Sequence, residues 1–155
     1  MKIIEVIPQL SSGGAERFVV DLCNQLANHS EVVLITYYQA EGANFYLPDL
    51  ASSVKHIALN KEVGLSISMF GKIFSIIKLE RPDVVHMHLL AINYLLPCIL
   101  FNHKRVKYFM TIHSDAEKEA GGKLGTFIRW LCFRLKLFTP ITISEESRRS
   151  FVEYY

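Results

Sequence analysis

Cysteine is scarce in this chain, and what there is stands apart. Cys23, Cys98 and Cys132 are the only three, and no two are in a C-x-x-C spacing. An odd count with no framework excludes a disulfide scaffold and predicts free, buried thiols in a reducing compartment. Charge of one sign is also lacking. Seventeen Lys and Arg face fifteen Asp and Glu, for a net charge of +2, too mild for a nucleic-acid partner. No hydrophobic run is long enough for a membrane span of about 20 residues. The longest, Leu89 to Phe101, is interrupted by Asn93 and Pro97. The N-terminal apolar segment carries Glu5 and has no small-residue cleavage site, so no signal peptide is expected. These absences predict a cytoplasmic protein, with contact at a membrane surface left open. The dinucleotide fingerprint G-x-G-x-x-G and the P-loop ending G-K-[ST] are missing too, which argues against a nicotinamide, flavin or P-loop site.

What is present is apolar and regular. Half of the 155 residues are hydrophobic, as expected of strands buried on both faces. Apolar runs that read as strands begin at Lys2–Ile7 and continue with EVVLITYY, SVKHIAL, DVVHMH, VKYFMTIH and PITIS. Between most of them lie stretches with helical spacing, such as Ala15, Phe18, Val19, Leu22, Cys23 and Leu26. Another uses Ile67, Phe70, Ile73, Phe74 and Ile77 and ends at Arg81-Pro82. QAEGANF reads as a polar loop, and Pro97 as a turn or kink. Alternating strands and helices with long connections predict one α/β domain over residues 1–155: a doubly wound, mostly parallel sheet with helices on both faces.

Ligands of such sheets bind beyond the carboxyl ends of the strands, so the candidate residues come from there. Gly13 and Gly14 form a strand-to-helix turn. With Gly13 as N-cap, Glu16 takes the third helical position. The turn suits an anion at the helix N-terminus or serves only steric needs. His86 and His88 alternate along one strand and share a face. No Cys, Asp or third His stands nearby at a ligand spacing, so no metal is expected. His86 reads as a buried, hydrogen-bonded residue, and His88 reaches the cleft. His113 follows a buried strand, with Asp115 placed to orient it. Ser144 caps the last helix, with Glu145 and Glu146 in its first turn. The helix Lys123–Phe138 has two apolar stripes. Leu124, Phe127, Ile128, Leu131 and Leu135 are expected to face the core. Trp130, Phe133 and Leu137, edged by Arg129, Arg134, Lys136 and Lys123, are expected to face a membrane, a lipid-linked ligand or a partner.

Four motifs in this order, GGAERFVVDLCNQLA, RPDVVHMHLL, MTIHSD and ITISEESRRSF, resemble the N-terminal domain of family 4 retaining glycosyltransferases of the GT-B fold. The resemblance implies a Rossmann-like half that binds the acceptor, facing a second domain that binds a nucleotide-sugar donor. It assigns Gly13-Gly14 to the approach of the donor diphosphate and His113 to the neighbourhood of the transferred sugar. His88, Ser144 and Glu145 match motif positions. It also implies hexosyl-type transfer with retention, no cofactor and no metal. The acceptor would be a saccharide or lipid-linked sugar, as in bacterial cell-envelope polysaccharide biosynthesis. The donor-binding domain, with its basic residues and paired glutamates, has no counterpart in these 155 residues. The expectation is a half-enzyme, inactive or nearly so alone, completed by its own C-terminal domain or a partner subunit. The alternative is a non-catalytic binding or scaffold module at a membrane.

Overall fold

The computed structural model describes residues 1–38, 42–62 and 64–155. Six strands form one sheet: β1 Lys2–Ile7, β2 Glu31–Tyr38, β3 Lys55–Lys61, β4 Val84–His88, β5 Lys107–Ile112 and β6 Thr139–Thr142. Every pairing is parallel and the order is β3-β2-β1-β4-β5-β6. Six helices connect or follow them: α1 Gly14–Leu26, α2 Ile67–Glu80, α3 Ile92–Asn102, α4 Ala116–Glu119, α5 Lys123–Arg134 and α6 Glu145–Tyr154. This is the doubly wound sheet that the alternation of apolar runs predicts. The first three strands step one way from β1, and the chain then crosses to the other side of β1 to lay down β4. Loops leaving β1 and β4 therefore diverge and open a crevice at the carboxyl edge.

Register decides what faces what. Glu5 pairs with His86, His86 with Phe109, and His88 with Thr111, so these side chains lie on one face. On that face α1 packs Val19, Val20 and Cys23 against Ile7 and Leu34. The opposite face carries Ile4, Val6, Val85, Met87 and Met110 under α2 and α3. Among the described residues no helix is long and apolar enough to cross a membrane. The polar loop expected from Gln39 begins at 39–41, outside the described residues.

Three local expectations need correction. In α2 the inward residue of the first turn is Met69, while Ile67 is 81% exposed. Pro97 lies inside α3. The third correction is larger: α5 is rolled so that Ile128 faces the core and Trp130 the outside as expected, but the other stripe residues exchange sides. Leu124 is 72% exposed, and Phe127, Leu131 and Leu135 are exposed with it. Arg129 is 1% exposed, and Phe133 and Leu137 pack on the core. The cause lies beyond the helix. Phe133 meets Phe138, Phe151 and Tyr155 edge-on, with ring centroids 4.8–5.0 Å apart. Arg129 Nη2 donates to the Leu89 carbonyl at 3.3 Å. A side chain at Gly125 would overlap the Ala120 carbonyl, so α5 seats tightly on the preceding turn on this side.

Candidate active site

The chemistry collects at the carboxyl ends of β1, β4 and β5. Glu5 is fully buried in the middle of β1, where an isolated carboxylate would be costly. Its partners come from β4. His88 Nε2 lies 2.8 Å from Glu5 Oε2, and His86 Nδ1 lies 3.0 Å from the same oxygen. Each imidazole has a second bond. His86 Nε2 is 2.7 Å from Thr111 Oγ1, and His88 Nδ1 is 2.9 Å from His113 Nε2. Burial pushes the Glu5 carboxyl up, but the bonds to His86 and His88 outweigh it and hold it below the ordinary range. Burial lowers His88, partly offset by Glu5. Burial, with the neighbouring His88 and His86, lowers His113 to about 4. At neutral pH the cluster therefore holds the Glu5 anion beside neutral His88 and His113.

Phe18 of α1 meets His113 edge-on at 5.3 Å and His88 at 6.2 Å. It stands one turn after Gly14 and ties the cluster to the glycine turn. Gly13 is the N-cap in extended conformation, and the Glu16 carboxylate folds back over it, accepting from Ser11 Oγ at 2.6 Å. A side chain at Gly13 would overlap that carboxylate; one at Gly14 would meet only open space. The Glu16 side chain thus fills the space at Gly13, while the backbone at Gly14 is open. Glu16 already places negative charge at this helix start.

The sequence signature of Glycosyltransferase Family 4 matches residues 12–155. The chain belongs to that family. Three solved structures share its fold. A glycosyltransferase from Rickettsia africae is 18% identical, with a TM-score of 0.66, over 99% of this chain and 39% of that one. Anabaena HepE, solved with UDP and glucose, is 14% identical, with a TM-score of 0.67, over 99% and 41%. UDP-GlcNAc 2-epimerase from Methanocaldococcus jannaschii is 13% identical, with a TM-score of 0.58, over 99% and 42%. The chain thus spans about two-fifths of each. No curated protein matches it.

Within this family 4 domain, Asp115 does not orient His113. Its carboxylate caps α4, accepting from Glu117 N at 2.9 Å. Glu119, which sequence reading passed over, has the holding role. Its Oε1 accepts from the backbone N–H of His113 at 2.8 Å and of Ser114 at 2.6 Å. Leu89 follows His88 at φ 54°, a left-handed conformation uncommon for leucine, and its carbonyl is the one Arg129 grips. Arg129 and Glu119 thus brace the two loops that carry the histidines. Ser144 caps α6, accepting from Ser147 N at 3.0 Å, and Glu145 pairs with Arg148 at 2.7 Å. Both make local bonds, none to the cluster.

Glu5, His86 and His88 have donor atoms mutually within 4.8 Å, a carboxylate and two imidazoles of the type that holds zinc. Sequence spacing hid the set, because Glu5 precedes the histidines by 81 and 83 residues. Each donor atom is taken up by a hydrogen bond within the cluster. A cavity of about 890 Å³, lined by Phe74, Lys78, Arg81, Asn102 and Arg105, lies at the other end of the sheet. Its titratable lining is Lys78, Arg81 and Arg105, with no carboxylate or imidazole beside them, so the histidine end is the better candidate for acid–base chemistry.

Proposed function

We propose that this domain is the acceptor-side half of a metal-independent, retaining glycosyltransferase of hexosyl type that uses a nucleotide-sugar donor. The observation that carries the reading is His113. It stands at the carboxyl end of β5, braced by His88 and Phe18, beside a glycine turn with open backbone at Gly14. A sugar in the crevice would meet His113, and a diphosphate would approach Gly14 rather than the Glu16-covered Gly13. Ser144 and Glu145, at the carboxyl end of β6, would line the acceptor side. The donor would be held by a second α/β domain, from further sequence of the same chain or a partner subunit. The chain's two-fifths share of each matched structure supports that division. The acceptor would be a saccharide or lipid-linked sugar of cell-envelope polysaccharide, met at the inner face of the cytoplasmic membrane.

The surface of α5 supports the membrane side of this reading, on a face different from the sequence expectation. Leu124, Phe127, Trp130, Leu131 and Leu135 are exposed, and Lys123, Arg134 and Lys136 are exposed among them. Apolar side chains interspersed with cations suit an anionic lipid surface.

A donor screen tests the function. Labelled nucleotide sugars, UDP-glucose first, are offered to this chain alone and to the product of the coding region extended beyond Tyr155, or to this chain with a candidate partner subunit. Transfer only when a second domain is supplied is the expected result. No transfer by any of these forms with any donor would refute the reading.

A further inference from the structure

Glu5 and His88 do more than fill the core beside His113. Hydrogen-bond parity runs through them. A carboxylate held by two imidazoles is ionised and has no proton to give. The 2.8 Å contact with Glu5 Oε2 must therefore use a proton on His88 Nε2. A neutral imidazole has only one N–H, so His88 Nδ1 is an acceptor. The 2.9 Å contact between His88 Nδ1 and His113 Nε2 must then use a proton on His113 Nε2. That leaves His113 Nδ1 as a bare lone pair. His86 likewise donates from Nδ1 to Glu5, while its Nε2 meets the Thr111 hydroxyl, which can donate or accept. We propose that Glu5 and His88 are positioning residues that fix His113 as its Nε2–H tautomer and present Nδ1 to the crevice as a hydrogen-bond acceptor for a sugar hydroxyl.

The proposal rests on the glycosyltransferase reading only for the identity of the ligand. It also defines the ligand's chemistry. A lone pair accepts from a hydroxyl and is repelled by a phosphate oxygen, which has no proton to share. His113 would read the sugar and take no part in holding the diphosphate. The lowered His88 and His113 values agree with neutral rings, and the lowered Glu5 value agrees with the anion at the head of the chain.

The test is nitrogen NMR of this chain with 15N-labelled histidine, which distinguishes protonated from bare ring nitrogens. The expected spectrum at neutral pH has His113 and His88 protonated at Nε2 alone, each as one tautomer. In Glu5→Met the acceptor is gone, and both His88 and His113 should become tautomer mixtures. A wild-type His113 protonated at Nδ1 would overturn the proposal; so would His88 as an imidazolium. A single unchanged His113 tautomer in a folded Glu5→Met would do the same. Stoichiometric metal bound by His86 and His88 would overturn it as well. The wild-type spectrum decides even where the variant does not fold. Titration of this labelled chain, completed by its donor half, with UDP-glucose separates the two readings. The expected tautomer with no response anywhere near His113 removes the sugar site and leaves the relay. The wrong tautomer with a response at His113 does the reverse.

Discussion

At the scale of single residues, burial sets the protonation of the site and links it to stability. His113 is lowered from an ordinary 6.5 to about 4, by burial first and by His88 and His86 next. His56, lowered by burial and bonded to Thr36 Oγ1 at 2.9 Å, behaves alike. Below 6.5 the unfolded chain takes up protons that the folded chain refuses, so stability present above that value is lost as pH falls toward 4. Glu5 acts in a separate window. Its value lies below the ordinary 4.5, so its contribution survives until the pH falls through that lower range. The melting temperature should therefore drop on acidification from 6.5 before any carboxylate titrates, and His113→Gln should flatten the drop. A melting temperature unchanged from 6.5 to 4.5 would rule this out. Gly13 offers a second check. Its side-chain space is filled by the end of the flexible Glu16 side chain, which can swing away, so Gly13→Ala should cost only about 1 kcal/mol, as a poorer N-cap, while Gly14→Ala stays near neutral in a denaturant titration.

At the scale of elements, α5 is where sequence reading and structure part. Both stripes have helical spacing, so periodicity gave no ground for choosing between them. The choice is made by residues far along the chain: Phe138, Phe151 and Tyr155 around Phe133, and the Leu89 carbonyl that Arg129 reaches. A buried arginine reads as a surface residue until its partner is known. Two substitutions measure the roll. Phe133→Ala removes a ring from the aromatic cluster and should cost about 3–5 kcal/mol. Phe127→Ser, on the exposed side, should stay within about 0.5 kcal/mol while weakening sedimentation with anionic vesicles. Equal costs for the two would return α5 to the orientation its leucines suggest. By contrast, the start of α1 was legible, although Phe18, expected on its core face, is 37% exposed and Val20 is buried instead. Gly13 as N-cap and Glu16 at the third position follow from local rules that need no distant partner.

At the scale of the whole molecule, the six-strand parallel sheet was legible because its central strands are mostly apolar and β-branched and are bounded by turn residues. The site was legible only in part. The carboxyl-end rule pointed to Gly13, Gly14, His113 and His88, but His88, expected to reach the cleft, is fully buried and touches it only through His113. The rule missed Glu5 because that residue lies mid-strand among apolar neighbours, and only the pairing of β1 with β4 brings it to the histidines. It missed Glu119 because α4 is one turn long and has no sequence period. The strand order places β1 and β4 side by side at the reversal, and the loops that follow them open the crevice.

The central claim is that this crevice is a sugar-transfer site centred on His113. The direct measurement is turnover of the complete enzyme, domain plus donor half, with His113→Ala against the unaltered protein. Loss of a positioned hydrogen bond to the reacting sugar predicts a fall of about 10²-fold or more, with the melting temperature still showing a folded protein. Near-normal turnover in a folded His113→Ala enzyme would contradict the account.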